Sequence, residues 1–418
     1  MGKIAEVFSM VMIVPLACMC STPDASTTSP PASGSEVFPE ASLEDIEELS
    51  RGNSAFGLDM YHSLSGGEDN IFFSPFSISS ALAMTFAGAR GQTEEEMRQT
   101  LHFTLPGDTL HAAFGSLLRR LNPASDDDGE FALHTVNALW GQSGYEFLPG
   151  FLSLVSEYYR GDISMLDFGG EPERSRNTIN EWVADQTEEK ISDLLPPGSI
   201  TTATRLVLTN AIYFNARWLF PFDPAATTRR PFTLLDGERL EVPAMSITET
   251  FRMMTGEGYG AVELPYRGTE GNMLLIVPDE GRFREIEERL DPELIRRTDA
   301  SMRHVNLRLT LPKFTSTSRF SLEDALASMG MPSAFGPAAD FSGMDGTRWL
   351  YISRVVHQAF VSVDEYGTEA AAATAVVMEK RNGGASAEFS VDRPFIYMIR
   401  DGATGTLLFM GRMLNPLE

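Results

Sequence analysis

The amino-acid sequence predicts an α+β fold in which the β-sheets are mainly antiparallel. The chain has 418 residues, of which 43% are hydrophobic and 27 are phenylalanine, a composition typical of a well-packed globular protein. Helical patterns dominate its first half and strand patterns its second half. The regular alternation of strands and helices that builds parallel sheets is missing. After residue 41 we find no repeat and no further low-complexity segment.

Helices are predicted where apolar residues recur every three or four positions behind a capping residue. Residues 42–64 begin with Ser42 and acidic residues in the first turn, the pattern of a capped amphipathic helix. Residues 93–101 begin with a capping box, and their three glutamates are interpreted as a solvated first turn rather than a metal site. Further helices are predicted at residues 74–89, 108–121, 148–159, 172–190, 283–298 and 321–329.

Strands are predicted where β-branched and aromatic residues are frequent. Residues 350–367 also alternate, with one apolar face into which a histidine falls. The usual explanation of such a histidine is a buried, hydrogen-bonded side chain rather than a catalyst. This face consists of Val355, His357, Ala359, Val361 and Val363. The other predicted strands are residues 131–140, 204–215, 259–264, 272–278 and 303–314, and strand character resumes at residues 387–400.

The first 41 residues are predicted to be a leader and a tether. Residues 1–17 carry a short apolar core, too short to span a bilayer, and this indicates a secretory signal peptide. The segment ending at Cys18 resembles a bacterial lipoprotein cleavage site, so lipid attachment at Cys18 and simple secretion both stay open. Residues 18–41 are rich in Ser, Thr and Pro, which favours a tether. The protein is therefore expected to be extracellular or on the cell surface, membrane-attached if Cys18 is lipidated.

Composition and motifs argue against several classes of function. The net charge of −25 disfavours nucleic acid and heparin-like polyanions as partners. Both cysteines, Cys18 and Cys20, precede the folded part, which therefore has neither a disulfide framework nor a cysteine metal site. The common hydrolase, metalloprotease and nucleotide-binding motifs are absent from the sequence, and its six histidines are scattered singly. We expect no metal, no cofactor and no enzymatic activity.

The segment DEYGTEAAAATAVVMEK at residues 364–380 is compatible with two structures. Its alanines favour a helix, but with a period of two one face is free of charge, and no proline interrupts it. A 24-residue connection, 365–388, within a compact domain indicates a functional loop. A segment that suits both an exposed loop and a buried strand can switch between them. The uncharged face consists of Thr368, Ala370, Ala372, Thr374, Val376 and Met378.

The chain resembles the serpins across residues 42–418. The resemblance implies one domain of three mainly antiparallel β-sheets and eight or nine α-helices. It also implies a monomer with an exposed reactive-centre loop, residues 365–388, that inserts into the large sheet as a strand. The blocks that match the family in order and spacing are NIFFSPFSISSALAMTFAGARGQTEEEM (70–97), LTNAIYFNARWLFPF (208–222), VVHQAFVSVDEYGTEAAAAT (355–374) and DRPFIYMIRDGATGTLLFMGRMLNP (392–416).

The resemblance also implies roles for individual residues. A polar cluster under the large sheet governs its opening, an ion pair and a tryptophan lie where insertion begins, and small residues form the loop hinge. The sheet-opening cluster consists of Ser74, Ser77, Asn210 and His357, joined at the top of the sheet by Trp218 and by Lys313 paired with Glu365. The hinge consists of Glu365, Gly367, Thr368, Glu369, Ala370, Ala371, Ala372, Ala373 and Thr374.

The family's spacing from Glu365 places the reactive bond at Arg381–Asn382, and a slip of one residue would place it after Lys380. This implies suicide inhibition of trypsin-like serine proteases, which are trapped as covalent acyl complexes when the cleaved loop inserts. Arg-specific cysteine proteases and subtilisin-like proteases also suit this bond. The alternative is a non-inhibitory carrier, chaperone or surface-binding module, which the small hinge residues disfavour.

Overall fold

The computed structural model describes residues 40–121, 131–159, 161, 163–187, 189–368 and 385–418. The predicted leader, nearly all of the tether with Cys18, and most of the predicted loop lie outside these residues. The described residues from 40 onward belong to one compact unit.

Ten α-helices form in the described residues, where eight or nine were expected. Most begin within two residues of their predicted start, as in the first helix, where Ser42 accepts a hydrogen bond of 3.1 Å from the backbone N–H of Asp45. None of the described helices combines the length and the apolar character needed to cross a membrane. The helices are α1 (Leu43–Leu64), α2 (Pro75–Phe86), α3 (Gly91–Thr100), α4 (Gly107–Leu121), α5 (Pro149–Tyr159), α6 (Pro172–Gln186), α7 (Phe283–Glu288), α8 (Pro292–Ser301), α9 (Glu323–Met329) and α10 (Ser342–Asp345).

Two helix predictions need correction. The helix expected at 283–298 is divided into α7 and α8, because Asp291 is extended ahead of Pro292 and caps α8 with its side chain. The capping box expected at Thr93 is also absent. Helix α3 begins at Gly91, and the Thr93 hydroxyl instead accepts a hydrogen bond of 3.0 Å from the backbone N–H of Asp340.

Fifteen β-strands form in the described residues. The predicted strand 303–314 covers β9 and only the first residue of β10, and Lys313 separates the two. Strands β1, β3, β5, β6 and β15, and β10 beyond Phe314, were not predicted. The strands are β1 (Ile71–Phe73), β2 (Phe131–Gln142), β3 (Ile163–Leu166), β4 (Leu206–Arg217), β5 (Thr228–Thr233), β6 (Arg239–Thr255), β7 (Tyr259–Pro265), β8 (Asn272–Pro278), β9 (Arg303–Pro312), β10 (Phe314–Ser321), β11 (Ile352–Val363), β12 (Gly367–Thr368), β13 (Ala387–Ser390), β14 (Phe395–Arg400) and β15 (Leu407–Met413).

The described strands pair into a six-stranded and a nine-stranded network, and we divide the nine-stranded network at the long strand β6 into two sheets. The first sheet has six strands in the order β10-β11-β12-β4-β2-β3. The second runs β1-β15-β14-β8-β7-β6, and the third consists of β5, β6, β9 and β13. Among the described strands, parallel pairing occurs between β4 and β11, β2 and β3, and β9 and β13. The predicted α+β fold with three mainly antiparallel sheets is therefore confirmed.

Apolar side chains cover both faces of the six-stranded sheet. The larger core cluster joins one face to α1, α2, α4 and the second sheet. A smaller cluster joins the other face to α6, with Ile179 and Val183 of the helix packed in the same cluster as Val207 and Val356. Burial on both faces explains why apolar residues on β4 do not alternate with polar ones. It also means that any polar side chain in the middle of this sheet needs a partner.

Candidate functional site

A row of polar side chains crosses the middle of the six-stranded sheet. Asn137 on β2 pairs with Asn210 on β4, and Asn210 pairs with His357 on β11. The Nδ1 of His357 donates a hydrogen bond to the side-chain oxygen of Asn210. The Asn210 amide nitrogen donates in turn to Asn137 and to the hydroxyl of Ser77 on α2. Three neighbouring strands and one helix are thus tied together inside an apolar core.

The first turn of α2 completes this polar cluster. The Ser74 hydroxyl accepts a hydrogen bond of 3.1 Å from the N–H of Ser77 and donates one of 2.6 Å to the carbonyl of Leu408. The backbone N–H of Ser74 donates to Nε2 of His357 at 3.1 Å. Because Nε2 accepts and Nδ1 donates, the imidazole is the neutral tautomer protonated at Nδ1. Complete burial lowers the pKa of His357 to about 3, which keeps it neutral.

The cluster holds β4 against β11. Separating these strands breaks the bond between His357 and Asn210, and an unpaired buried polar group costs about 1–3 kcal/mol. The four predicted members, Ser74, Ser77, Asn210 and His357, do lie together. Asn137 was missed by the sequence analysis, although it is the only amide within the predicted strand 131–140.

At the top of the sheet the chain turns back after β11 and places a short strand between β11 and β4. Thr368 of this strand, β12, pairs with Val363 on one side and with Ala216 on the other. Glycine is required at position 367, because a Cβ there would lie 2.1 Å from the carbonyl oxygen of Ala216. Gly367 and Thr368, two of the predicted hinge residues, therefore already lie within the sheet.

Trp218 and Tyr266 cover Thr368. Their rings stack with centroids 4.8 Å apart and an angle of 9° between the planes. The Tyr266 hydroxyl lies 2.8 Å from the Thr368 hydroxyl, and Nε1 of Trp218 donates to the carbonyl of Asp364 at 3.0 Å. Burial raises the pKa of Tyr266, so its hydroxyl keeps its proton. Trp218 was predicted at this place and Tyr266 was not, since no local pattern marks it.

Glu365 forms an ion pair with Lys313, with 2.6 Å between Nζ and Oε2. Its other carboxylate oxygen accepts a hydrogen bond of 2.7 Å from the hydroxyl of Thr227. Burial by itself raises the pKa of Glu365, but the hydrogen bonds from Lys313 and Thr227 outweigh it, and the pKa lies below its ordinary value. Lys313 separates β9 from β10, so the pair fixes the start of the loop to the junction of two sheets.

The far end of the predicted loop is also fixed. The backbone N–H and the hydroxyl of Ser386 both donate to the carbonyl of Asn306 at 2.8 Å, and β13 then pairs with β9. Strand β13 begins at Ala387, inside the loop bounds 365–388 expected from the sequence. Residues 369–384 lie outside the described part. They include the predicted hinge residues Glu369, Ala370, Ala371, Ala372, Ala373 and Thr374 and the predicted reactive bond Arg381–Asn382.

The site is able to accept a strand. β4 and β11 are a parallel pair, and each has an antiparallel neighbour on its outer side. A strand that continued β12 downward would be antiparallel to both, the arrangement that short connections allow and that pairs slightly better. Among the residues that the structure describes, His, Cys, Asp and Glu side chains do not gather in groups of three or more that could hold a metal ion.

Comparisons with known proteins agree with this geometry. A family model described as Serpin (serine protease inhibitor) matches residues 51–416. An uncharacterized serpin-like protein of Thermococcus kodakarensis is 40% identical over 400 residues, covering 94% of this chain and 92% of that protein. The leukocyte elastase inhibitor of Bos taurus is 38% identical, covering 89% and 100%. The crystal structure of human thyroxine-binding globulin matches with a TM-score of 0.80 at 29% identity, covering 90% and 100%.

Proposed function

The chain belongs to the serpin family, and from this premise we propose that it inhibits trypsin-like serine proteases by trapping them as covalent acyl complexes. The observation that carries the proposal is the position of Thr368, paired with Val363 and Ala216 between two strands that are otherwise bonded to each other. The loop therefore starts as a strand of the six-stranded sheet. The next residues on the same face in the sequence, Ala370, Ala372 and Thr374, are small and uncharged, which suits its continuation.

The pairing of Thr368 is able to continue downward without a break. Each further loop residue would move one position back along both β4 and β11. Ala371 would then meet Tyr213 and Phe360, which already pair with each other. The two strands stay in step in this way as far as the pair of Val207 and Arg354, beyond which an irregularity at Ser353 shifts the register by one residue. No shift of either strand along its axis is needed before the loop is inserted.

Insertion is favourable in the cleaved protein. It replaces one parallel pairing with two antiparallel pairings, so the ladder gains hydrogen bonds on both edges of the new strand. It also buries the uncharged face that begins at Thr368. The bond between His357 and Asn210 has to break first, and the intact loop is anchored at both Thr368 and Ser386. The uncleaved state is therefore held kinetically, above a more stable inserted form.

In the proposed reaction the serine hydroxyl of the protease attacks the carbonyl carbon of Arg381. The Arg381–Asn382 peptide bond breaks, an ester forms between the serine and Arg381, and Asn382 leaves with a new amino group. The acidic pocket of a trypsin-like protease would bind Arg381 through charge-assisted hydrogen bonds. Insertion then carries the protease across the sheet and distorts its active site before water can hydrolyse the ester. The chain contributes no catalytic group and acts as an inhibitor rather than an enzyme.

The leader and tether predicted for residues 1–41 would place this inhibition outside the cell, on a lipid anchor if Cys18 is modified. A carrier function is the second candidate, because a similar structure is named for binding thyroxine. The two candidates differ in what cleavage of the loop does. A protein that inserts its loop becomes more resistant to heat when the loop is cut, whereas a protein with a fixed loop does not.

The test is to mix the full chain with trypsin, the inhibitor in slight excess, and to examine the products on a denaturing gel and by mass spectrometry. We expect a band at the summed mass and a released fragment that begins at Asn382. Arg381→Glu should abolish trapping of trypsin, whereas Lys380→Ala, its matched control, should not. Ala370→Pro should be cut without trapping, because proline cannot complete the ladder.

Clean cleavage of the wild-type chain with trypsin left fully active would contradict trapping of this protease. Heating the same cleaved sample then separates two explanations. Increased heat resistance means that the loop inserts and that the target is another protease, such as an Arg-specific cysteine protease or a subtilisin-like protease. Unchanged heat resistance means that the loop does not insert, and the inhibitory proposal fails.

A further inference from the structure

A groove opens beside β10, the strand at one edge of the six-stranded sheet. Its volume is about 780 Å³, a size typical of ligand-binding clefts. It lies at the corner of the sheet where Lys313 pairs with Glu365. We name it the β10 groove, and it is lined by residues 313–317 at the start of β10, residues 362–364 at the end of β11, residues 69–70 before β1 and residues 416–418 after β15.

The register of β10 shows which of its backbone groups are free to bind a further strand. The backbone N–H of Leu322 donates to the carbonyl of Val355 at 2.9 Å and continues the pairing of β10 with β11. Hydrogen-bonded positions alternate in an antiparallel ladder, so the even-numbered residues of β10 bond to β11. The N–H and C=O groups of Thr315 and Thr317 therefore point away from β11, and both residues line the groove. Within the part of the chain that the structure describes, no strand pairs with β10 on this side.

This edge lacks the usual protection against strand pairing. Exposed sheet edges are commonly protected by charged side chains, by proline or by being very short. β10 has eight residues, whereas β3 at the other edge of the sheet has four. The first charged residue of β10 is Arg319, and residues 314–318 contain neither a charge nor a proline. The half of β10 that lines the groove is therefore able to accept another strand.

The charged side chains of the groove favour a basic occupant. Asp69 and Glu418 are exposed, and Asp364 is half-buried. Within the described residues, none of these three carboxylates is paired with a cation. Lys313 is the single cation among the lining residues, and Glu365 already neutralises it at 2.6 Å. A positively charged segment is therefore attracted to the groove, and an acidic one is repelled.

We propose that the β10 groove binds an extended, basic peptide segment of a partner protein, which pairs with the outer edge of β10 as a further strand. Residues 313–317 span about 17 Å in extended form, which suits a segment of about five residues. Backbone hydrogen bonds to Thr315 and Thr317 provide the affinity, and the carboxylates of Asp69 and Glu418 select basic side chains. The inference does not depend on the proposed inhibitory function.

The first test measures peptide binding to the full chain by fluorescence polarisation. The probe is a dye-labelled peptide of sequence Lys-Thr-Val-Thr-Val-Lys, blocked at both ends, in which threonine and valine favour the extended conformation. The control is the same peptide with glutamate in place of both lysines. We expect the basic peptide to bind roughly tenfold more tightly than the acidic one. Equal binding of the two peptides, or no binding of the basic peptide at about 1 mM, would overturn the inference.

Thr317→Pro tests the strand pairing. Because the Thr317 N–H points away from β11, proline removes a donor to the bound peptide and leaves the ladder with β11 intact. We expect binding to weaken roughly tenfold, whereas Thr317→Val, which keeps the N–H, should bind as the wild type does. Thermal unfolding shows whether both variants are folded. Wild-type binding by a folded Thr317→Pro variant would overturn the proposed pairing.

Methylation of the peptide nitrogens gives the same test without any change to the protein. In a bound strand, alternate N–H groups face β10 and the others face solvent. We expect methylation of one alternating set to abolish binding and methylation of the other set to leave it unchanged. Equal effects of the two sets would overturn the pairing, whatever the stability of the proline variant.

The last test concerns the charge of the groove and the identity of its occupant. Asp69→Asn should weaken binding of the basic peptide about threefold, whereas Asp279→Asn, which removes an exposed carboxylate outside the groove, should not. Equal weakening would mean that the net charge alone attracts the peptide, and the site would be overturned. Without peptide, we expect both the wild type and Thr317→Pro to elute as monomers in size-exclusion chromatography. A wild-type dimer that Thr317→Pro abolishes would mean that a second copy of the chain occupies the edge, and the inference of a basic partner would fail.

Discussion

The hydroxyl oxygens of Tyr266 and Thr368 lie 2.8 Å apart, and both residues are buried at the top of the six-stranded sheet. Tyr266 follows β7 of the neighbouring sheet, whereas Thr368 ends β12. The bond therefore joins the loop hinge to a part of the molecule that the proposed insertion leaves in place. It favours the conformation in which the first loop residue already lies between β4 and β11.

Tyr266→Phe should slow loop insertion after cleavage. Loss of the hydrogen bond costs about 1 kcal/mol, which lowers the population with Thr368 inside the sheet roughly fivefold. More inhibitor molecules are then cleaved as substrate for each protease molecule that is trapped. Titration of trypsin with the inhibitor measures this ratio of inhibitor consumed to protease trapped. The control is Tyr259→Phe, which removes a bond of the same kind and length to Thr298. It should lower stability by a similar amount and leave the ratio unchanged; equal ratios in both variants would contradict this role of Tyr266.

Gly367→Ala should convert the inhibitor into a substrate. The new Cβ would lie 2.1 Å from the Ala216 carbonyl oxygen, so the hinge has to move out of its position. We expect a loss of unfolding free energy of about 1–3 kcal/mol, together with cleavage that leaves trypsin active. Gly150→Ala is the matched control, because outside its chain neighbours and its own helix backbone no atom lies within 4 Å of its added Cβ. Undiminished trapping by Gly367→Ala would show that the hinge position is not required.

Lys313→Met should destabilise the protein in a pH-dependent manner. The pKa of Glu365 is lowered in the folded protein, so its contribution is fully present above the ordinary value of 4.5 and is lost as the pH falls below it. We expect the variant to lose about 1 kcal/mol at pH 7 and progressively less as the pH falls below 4.5, measured by urea unfolding. Arg297→Met, which removes an exposed pair of 3.7 Å with Glu293, should have little effect at any of these pH values. A loss that does not change with pH would contradict the pairing.

His357→Gln should make stability less sensitive to pH. The pKa of His357 is about 3 when folded and about 6.5 when unfolded. The unfolded chain therefore binds the additional proton, and the contribution of His357, complete above pH 6.5, is lost as the pH falls towards 3. The difference in unfolding free energy between wild type and variant should shrink by about 2 kcal/mol from pH 7 to pH 5. A difference that stays constant between pH 7 and pH 5 would count against a buried neutral imidazole.

Periodicity predicted most of the fold because it reports which face of an element is buried. It failed for β6, whose 17 residues carry charged side chains and pair first with β5 and then with β7. Such a strand has no single buried face along its length. It also failed at residues 283–298, where the helical pattern continued across Pro292 although the backbone there is interrupted.

The residues of the candidate site, too, could be predicted only in part. The buried position of His357 could be read from the alternation of β11, and its neighbours came from the family resemblance. Tyr266 and Asn137 could not be predicted, because their partners Thr368 and Asn210 lie 102 and 73 positions away along the chain. Sequence patterns report local geometry, whereas contacts over such distances depend on how the sheets pack.

The pairing of β1 with β15 has a consequence for the biosynthesis of the protein. Ile71 pairs with Arg412, and the backbone N–H of Leu414 donates to the Asn70 side chain across 344 positions of the chain. At about 5–20 residues per second, a ribosome needs roughly 20 to 70 seconds between these two points. Throughout that interval the nascent chain lacks the strand that completes its second sheet. If residues 1–17 are a secretory leader, the chain behind it would therefore still be unfolded when the leader reaches a translocation channel. An unfolded chain can pass through such a channel.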